Sequence, residues 1–166
     1  MTWRGNILKM NNSRNHHPFS VILLILLQFF LGLGALAGGG VLMLAPDGSI
    51  MHMPTSMLAH SPFPNFLVPG ALLFTFVGIY PMMVAYCLWK QPSWHWPNLI
   101  NPFKQFHWSW AGSLAAGVVV IVWILAEVAF LSTATLIHYF YLGWGIVIIV
   151  VSLLASVRRY FKSEKV

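Results

Sequence analysis

The sequence predicts an all-α membrane protein: a four-transmembrane-helix bundle with a short extracytoplasmic β-hairpin between helices 1 and 2. Three observations predict it. The first is composition. Of 166 residues, 58% are hydrophobic and only 7% charged, against roughly 25% charged in a soluble domain; a soluble fold with so few charges would expose aggregating apolar patches. The second is a set of four apolar runs, approximately Phe19 to Leu44, Phe66 to Trp89, Trp110 to Leu131 and Ala134 to Val157. Each matches the roughly 20 helical residues that cross a hydrocarbon core of about 30 Å. Transmembrane β-strands are shorter and alternate in polarity, and these runs do neither. The third is where the charge lies. The nine basic residues are Arg4, Lys9, Arg14, Lys90, Lys104, Arg158, Arg159, Lys162 and Lys165. All fall in the N-terminal tail, the connector between runs 2 and 3, or the C-terminal tail. Four crossings put those segments on one side, and the positive-inside rule makes that side the cytoplasm, with both termini there. The net charge of +6 therefore reads as membrane topology and not as nucleic-acid binding. Basic residues beside membrane ends also attract anionic lipid headgroups.

Taken in order, residues 1–18 form a polar, basic cytoplasmic tail, with Pro18 suited to the first turn of a helix. Helix 1 is too long for the core of a cleavable signal peptide. Its end, "GLGALAGGG", spaces Gly34 from Gly38 and Ala35 from Gly39 by four residues, a face that lets helices approach closely in lipid. That face serves packing within the bundle or, alternatively, a homo-oligomer. Residues 45–65 form the outer loop. Within it "PDG" (Pro46, Asp47, Gly48) is a turn signature, and the flanks Val41 to Leu44 and Ser49 to Met53 have strand-like length. The segment "HSPFPNFLVPG" then makes an extended re-entry. Helix 2 carries Pro81, which removes a backbone hydrogen bond and predicts a kink. Residues 90–109 form the cytoplasmic connector, where Trp94, Trp96, Trp108 and Trp110 fit an interfacial aromatic belt. Helices 3 and 4 are joined by a turn so tight that they must be antiparallel neighbours; Gly112, Ala116 and Gly117 mark a packing face on helix 3. Residues 158–166 form the second cytoplasmic tail. No linker or repeat divides the chain, so residues 1–166 read as a single domain.

The candidate sites are few. Met51, His52, Met53, Met57 and His60 in the outer loop are soft or borderline ligands suited to Cu(I). Methionine is equally an apolar filler, and a strand would point His52 away from Met53, which leaves His52, His60 and Met53 as weak metal candidates and no cofactor expected. Glu127 is more informative. It lies in helix 3, four residues before the outer end, and an intramembrane carboxylate normally faces a bundle interior and pairs with something. Its expected partner is His138 across the tight turn, with Trp123 one turn deeper on the same face. Three roles are open: a structural hydrogen-bond hub, a side chain snorkelling to the outer interface, or a proton or ligand site. Gln28 is the other polar residue within a span; its depth differs, so it need not meet Glu127. Asp47, Glu127 and Glu164 are the only acids, and no nucleotide-binding, zinc-protease or nucleophile-elbow motif is present. The single cysteine, Cys87, excludes an intrachain disulfide and a CxxC pair.

The stretch "GGGVLMLAPDGSIMHMPTSMLAHSPFPNFLVPGALLFTFVG" (residues 38–78) resembles small bacterial four-helix integral membrane proteins bearing a "GG..L...PDG...MP...L..SPF..FL.PG" signature. The resemblance continues more weakly into "VWILAEVAFL" and "YLGWG" and covers about two thirds of the chain. It implies a topology and a bacterial inner (plasma) membrane, and no chemistry. The expected function is a non-enzymatic structural or accessory subunit, held in the lipid bilayer beside a membrane-protein partner and with the outer loop as its lid. The alternative is a small transporter or ligand-binding membrane protein using Glu127 and His138 beneath that loop.

Overall fold

In hydrocarbon every backbone polar group must be satisfied within its own segment, and the long apolar runs answer with helices. The computed structural model describes residues 17–131 and 134–163; Arg4, Lys9, Arg14, Glu164 and Lys165 lie outside the described residues. Helix α1 spans Phe19–Leu44. Helix α2 spans Leu67–Lys90, α3 is the short His95–Ile100, and α4 spans Trp108–Leu131. Helix α5 spans Leu136–Leu153, and the short α6 spans Ala155–Tyr160. Helices α1, α2, α4 and α5 are each long and apolar enough to cross a membrane, the pattern of a multi-pass membrane protein. Their outward faces bear Leu26, Phe30, Val122, Leu125, Phe140 and Ile146, all exposed; such a surface suits lipid and not water.

Lipid supplies no hydrophobic force between helices, so close packing and interhelical hydrogen bonds must hold the bundle. The buried face of α1 runs Val21, Leu24, Gln28, Leu31, Ala35, Gly39 and Leu42, spaced three or four apart, and lies along α2. At their closest approach a Cβ on Gly39 would stand 2.7 Å from the Gly70 carbonyl and the Phe74 amide. Helices α4 and α5 cross in the same way: a Cβ on Gly117 or on Gly145 would stand 3.1 Å from the other's carbonyl oxygen. Of the packing glycines expected from spacing, Gly39 is at a tight contact. Gly112 meets Val84 and Tyr80 at ordinary distance, a Cβ on Gly34 would stand 3.1 Å from the Tyr141 hydroxyl, and Gly38 has room in front of it.

Three expectations are corrected. The outer loop holds no β-hairpin, and no strand forms among the described residues. Val41–Leu44 finish α1, because their backbone groups are already committed to the helix. After the turn closed by Gly48 N–H donating to Ala45 O at 2.9 Å, the amides of Met51 and Met53 both donate to Gly48 O and that of His52 to Ser49 O. Successive turns thus use the groups a ladder would need. Gly48 and His52 have φ of 76° and 54°, the left-handed region, where glycine is at ease and a histidine is strained. A 3-10 turn, Thr55–Leu58, follows, and Phe66 N–H donates to Pro46 O at 2.8 Å, tying the loop's two ends. Second, the fourth span stops at Leu153, with Leu154 extended before α6, although neither proline nor glycine marks the break. The Ser152 hydroxyl donates to the Ile148 carbonyl one turn back, a bond that loosens helices. Third, Trp110 is not in a belt: it is only 3% exposed, and its indole N–H donates to Ser152 O at 2.8 Å. Trp94 and Trp96 are exposed as expected.

Pro81 acts one turn early. The segment before it, Leu73–Ile79, winds as a π-helix, the register change by which a helix absorbs a missing donor. At the basic end the start of α1, the α2–α4 connector and α6 interlock. Ser20 bonds Ser156 at 2.8 Å, and His17 Nδ1 bonds the Tyr160 hydroxyl at 2.7 Å. His107 N–H donates to Phe161 O at 2.8 Å and Ser163 N–H to Gln105 O at 2.9 Å. Lys90 and Lys104 of the connector and Arg158, Arg159 and Lys162 of the C-terminal segment therefore share one end of the bundle with the start of α1.

Candidate functional site

The other end of the bundle is hollow. A cavity of about 310 Å³ lies beneath the outer loop, among all four long helices. Gly34, Ala35 and Gly38 of α1 form one wall, and their small side chains leave the space open. Leu73 and Val77, both within the π-helical segment of α2, form the second wall. Met51, Met53 and Met57 form the roof. The loop is held down by its own small core of Leu42, Leu58 and Phe66, and Phe63 packs edge-to-face on Phe130 of α4.

The remaining wall carries the polar groups. Trp123 and Glu127, four apart on α4, share a face with Val120 and Ile124, and His138 and Tyr141 come from α5. The tight Gly117–Gly145 crossing sets α4 and α5 side by side, so the expected pair does meet: Glu127 Oε2 stands 3.9 Å from His138 Nε2. That distance is longer than a hydrogen bond. The other polar neighbour of the Glu127 carboxylate is the Trp123 indole, and the Glu127 side chain keeps 28% exposure at the cavity it lines. The Trp123 indole N–H is buried and has no acceptor at hydrogen-bond distance among the described residues.

His138 is fixed by its own helix start. Thr135 is the N-cap of α5, and the two residues form a capping box. The Thr135 backbone N–H donates to His138 Nδ1 at 3.0 Å, and the Thr135 hydroxyl lies 2.7 Å from the same atom. Nδ1 is therefore the acceptor, which assigns the proton of the neutral ring to Nε2, the atom facing Glu127. The wall thus presents one acceptor, Glu127, between two N–H donors.

The weak metal candidates divide. Met53 lines the cavity roof, whereas His52 and His60 are exposed, and no group of three His, Cys, Asp or Glu forms among the described residues. Gly34 and Gly38 line the cavity.

A second polar cluster, around Gln28, was not foreseen as a cluster. Fully buried in the inner half, Gln28 donates through Nε2 to Ser113 Oγ at 2.9 Å and to Ser113 O at 3.3 Å. Ser113 Oγ lies 3.0 Å from Ser152 Oγ. One amide thus links the diagonal pair α1 and α4, and Ser152 carries the chain of bonds to α5. The only sequence signal is that Gln28 is the sole polar side chain on the buried face of α1; two serines in spans are too ordinary to nominate. No family model, no curated protein and no solved structure matches the chain.

Proposed function

We propose that the protein is a membrane-embedded binding protein for a small, largely apolar molecule whose polar head both donates and accepts hydrogen bonds. The observation that carries this reading is the cavity beneath the outer loop: apolar on three sides, with Glu127, His138 and Trp123 together on the fourth. Ligand sites are typically apolar concavities with a few convergent polar groups, from about 300 Å³ upwards. A cavity of about 150 Å³ accommodates benzene, so this one suits a molecule of roughly twice that size. An amine or alcohol head would donate to Glu127 and accept from His138 Nε2–H or Trp123 Nε1–H, supplying the partners these groups lack within the described residues.

The bundle sits in a bacterial inner membrane in this reading, with its basic end in the cytoplasm and the methionine-roofed cavity at the outer face. A purely structural role as an accessory subunit beside a membrane-protein partner has less support. It asks for Glu127 to be tied into a hydrogen-bond network, and the tied residue is Gln28.

The test is a cavity-filling substitution. A Cβ at Gly38 meets nothing closer than Leu73 Cδ2 at 3.8 Å, so Gly38→Leu extends into open space without displacing backbone. Titrating 1-naphthylmethylamine against detergent-solubilised protein, followed by tryptophan fluorescence, should show saturable binding that Gly38→Leu abolishes while leaving the melting temperature unchanged or raised. Equal binding by the parent and Gly38→Leu overturns the proposal.

A further inference from the structure

The basic end carries a second concavity, unrelated to the cavity above. It is a pocket of about 370 Å³ lined by Gln105 and Phe106 of the connector and by Ala155, Arg158, Arg159 and Lys162 of the C-terminal segment. Three cations converge there. Of the chain's three acidic side chains, Asp47 and Glu127 belong to the opposite end and Glu164 lies outside the described residues, so at most one side-chain carboxylate can reach three positive charges. The excess of side-chain charge is at least two.

The cations stand on a fixed scaffold. Val157 and Phe161, four apart, are 0% and 1% exposed and anchor α6 into the bundle, which turns Arg158, Arg159 and Lys162 outward. The backbone bonds from Ser163 to Gln105 and from His107 to Phe161, with the bridge between Phe106 and Lys162, hold the two sides of the pocket together. The Arg158 guanidinium lies 5.5 Å from the centre of the Phe106 ring, within cation–π range, so its position is set as well. The height is equally defined. Leu153 and Leu154 are still exposed apolar residues of the lipid-facing surface, and the pocket begins at the next residue, Ala155, where hydrocarbon gives way to headgroups. Planar guanidinium forks match phosphate oxygens in pairs.

We infer that this pocket binds a phosphate-bearing anion, the phosphate of an anionic lipid headgroup, through Arg158, Arg159 and Lys162. The test uses the full chain in detergent with water-soluble probes: dihexanoyl phosphatidic acid, dihexanoyl phosphatidylcholine and inorganic phosphate, read by thermophoresis. The parent should bind the phosphatidic acid at least tenfold more tightly than the phosphatidylcholine. The triple variant Arg158→Gln, Arg159→Gln, Lys162→Gln should lose about a hundredfold, since each cation at a membrane surface contributes about fivefold. Arg158→Lys with Arg159→Lys should retain most of the binding, and Lys90→Gln, a cation outside the pocket, all of it. Should the triple variant not remain monodisperse, each single glutamine variant must show its own loss of about fivefold. Displacement of the lipid probe by millimolar inorganic phosphate would identify a soluble anion as the natural source, and its failure a lipid, the phosphate chemistry standing in both cases. Equal affinity for the two lipids, or glutamine variants that bind as the parent does, overturns the inference.

Discussion

The two halves of this bundle treat a polar side chain in opposite ways. In the half toward the basic end Gln28 is fully buried and its Nε2 donates into a chain of bonds reaching Ser113, Ser152 and Trp110, although its Oε1 has no partner among the described residues. In the other half Glu127 keeps 28% exposure, stands 3.9 Å from His138 Nε2 and lines a cavity. A buried polar group held by hydrogen bonds between helices serves the fold; a carboxylate that lines a cavity, costly in a membrane, is what the proposed binding role asks for. On that reading structure sits at one end and binding at the other.

The largest effect should come from the packing that both halves share. Gly39→Val would drive side-chain atoms into the backbone of α2, where even a Cβ lies 2.7 Å from two main-chain atoms. Backbone cannot yield as a flexible side chain does, so loss of the folded bundle is expected, by about 3 kcal/mol or more, visible as aggregation on size exclusion. A melting temperature like the parent's would show that α1 and α2 do not meet there.

Next comes Gln28→Leu. It removes the bond between α1 and α4 but leaves Ser113 paired with Ser152, so the loss should be about 1 kcal/mol, the usual scale for such a bond in lipid. Glu127→Gln should cost less than Gln28→Leu, because no bond within the described residues is broken. Comparison of the two melting temperatures sharpens the contrast: a larger drop for Glu127→Gln would make Glu127 the structural hub after all.

The smallest effect concerns pH at the basic end. His107 begins α4, its Nδ1 accepting from Ser109 N–H at 3.3 Å, and burial pushes its imidazole below the ordinary histidine value of 6.5. The folded state therefore prefers the neutral ring. Its contribution is complete above pH 6.5 and is lost as pH falls through the lowered value. His107→Asn keeps a cap acceptor that does not titrate, so its melting temperature should fall less than the parent's between pH 7.5 and 5; parallel curves would remove His107 from the account.

The four spans were legible because length and apolarity decide them with no knowledge of neighbours, and the end shared by Lys90, Lys104, Arg158, Arg159 and Lys162 because an even number of crossings separates the connector from the C-terminal segment. The meeting of Glu127 and His138 followed from the short turn between their helices. The hairpin was misread because "PDG" marks a turn without saying whether its flanks pair or coil, and Val41–Leu44 already belonged to α1. Partners of Gln28 depend on the rotation of α4 and α5 about their axes, which a uniformly apolar helix conceals. The cavity is a matter of how side chains from four helices fail to fill a space, and Gly38, which leaves it open, stands in the same small-residue run as Gly39, which closes a contact.

The most direct measurement of the central claim is a side-by-side titration of 1-naphthylmethylamine into the parent, Glu127→Gln and Gln28→Leu proteins. The account predicts affinity at least tenfold weaker in Glu127→Gln and unchanged in Gln28→Leu. Equal affinities in parent and Glu127→Gln, or a loss confined to Gln28→Leu, would contradict it.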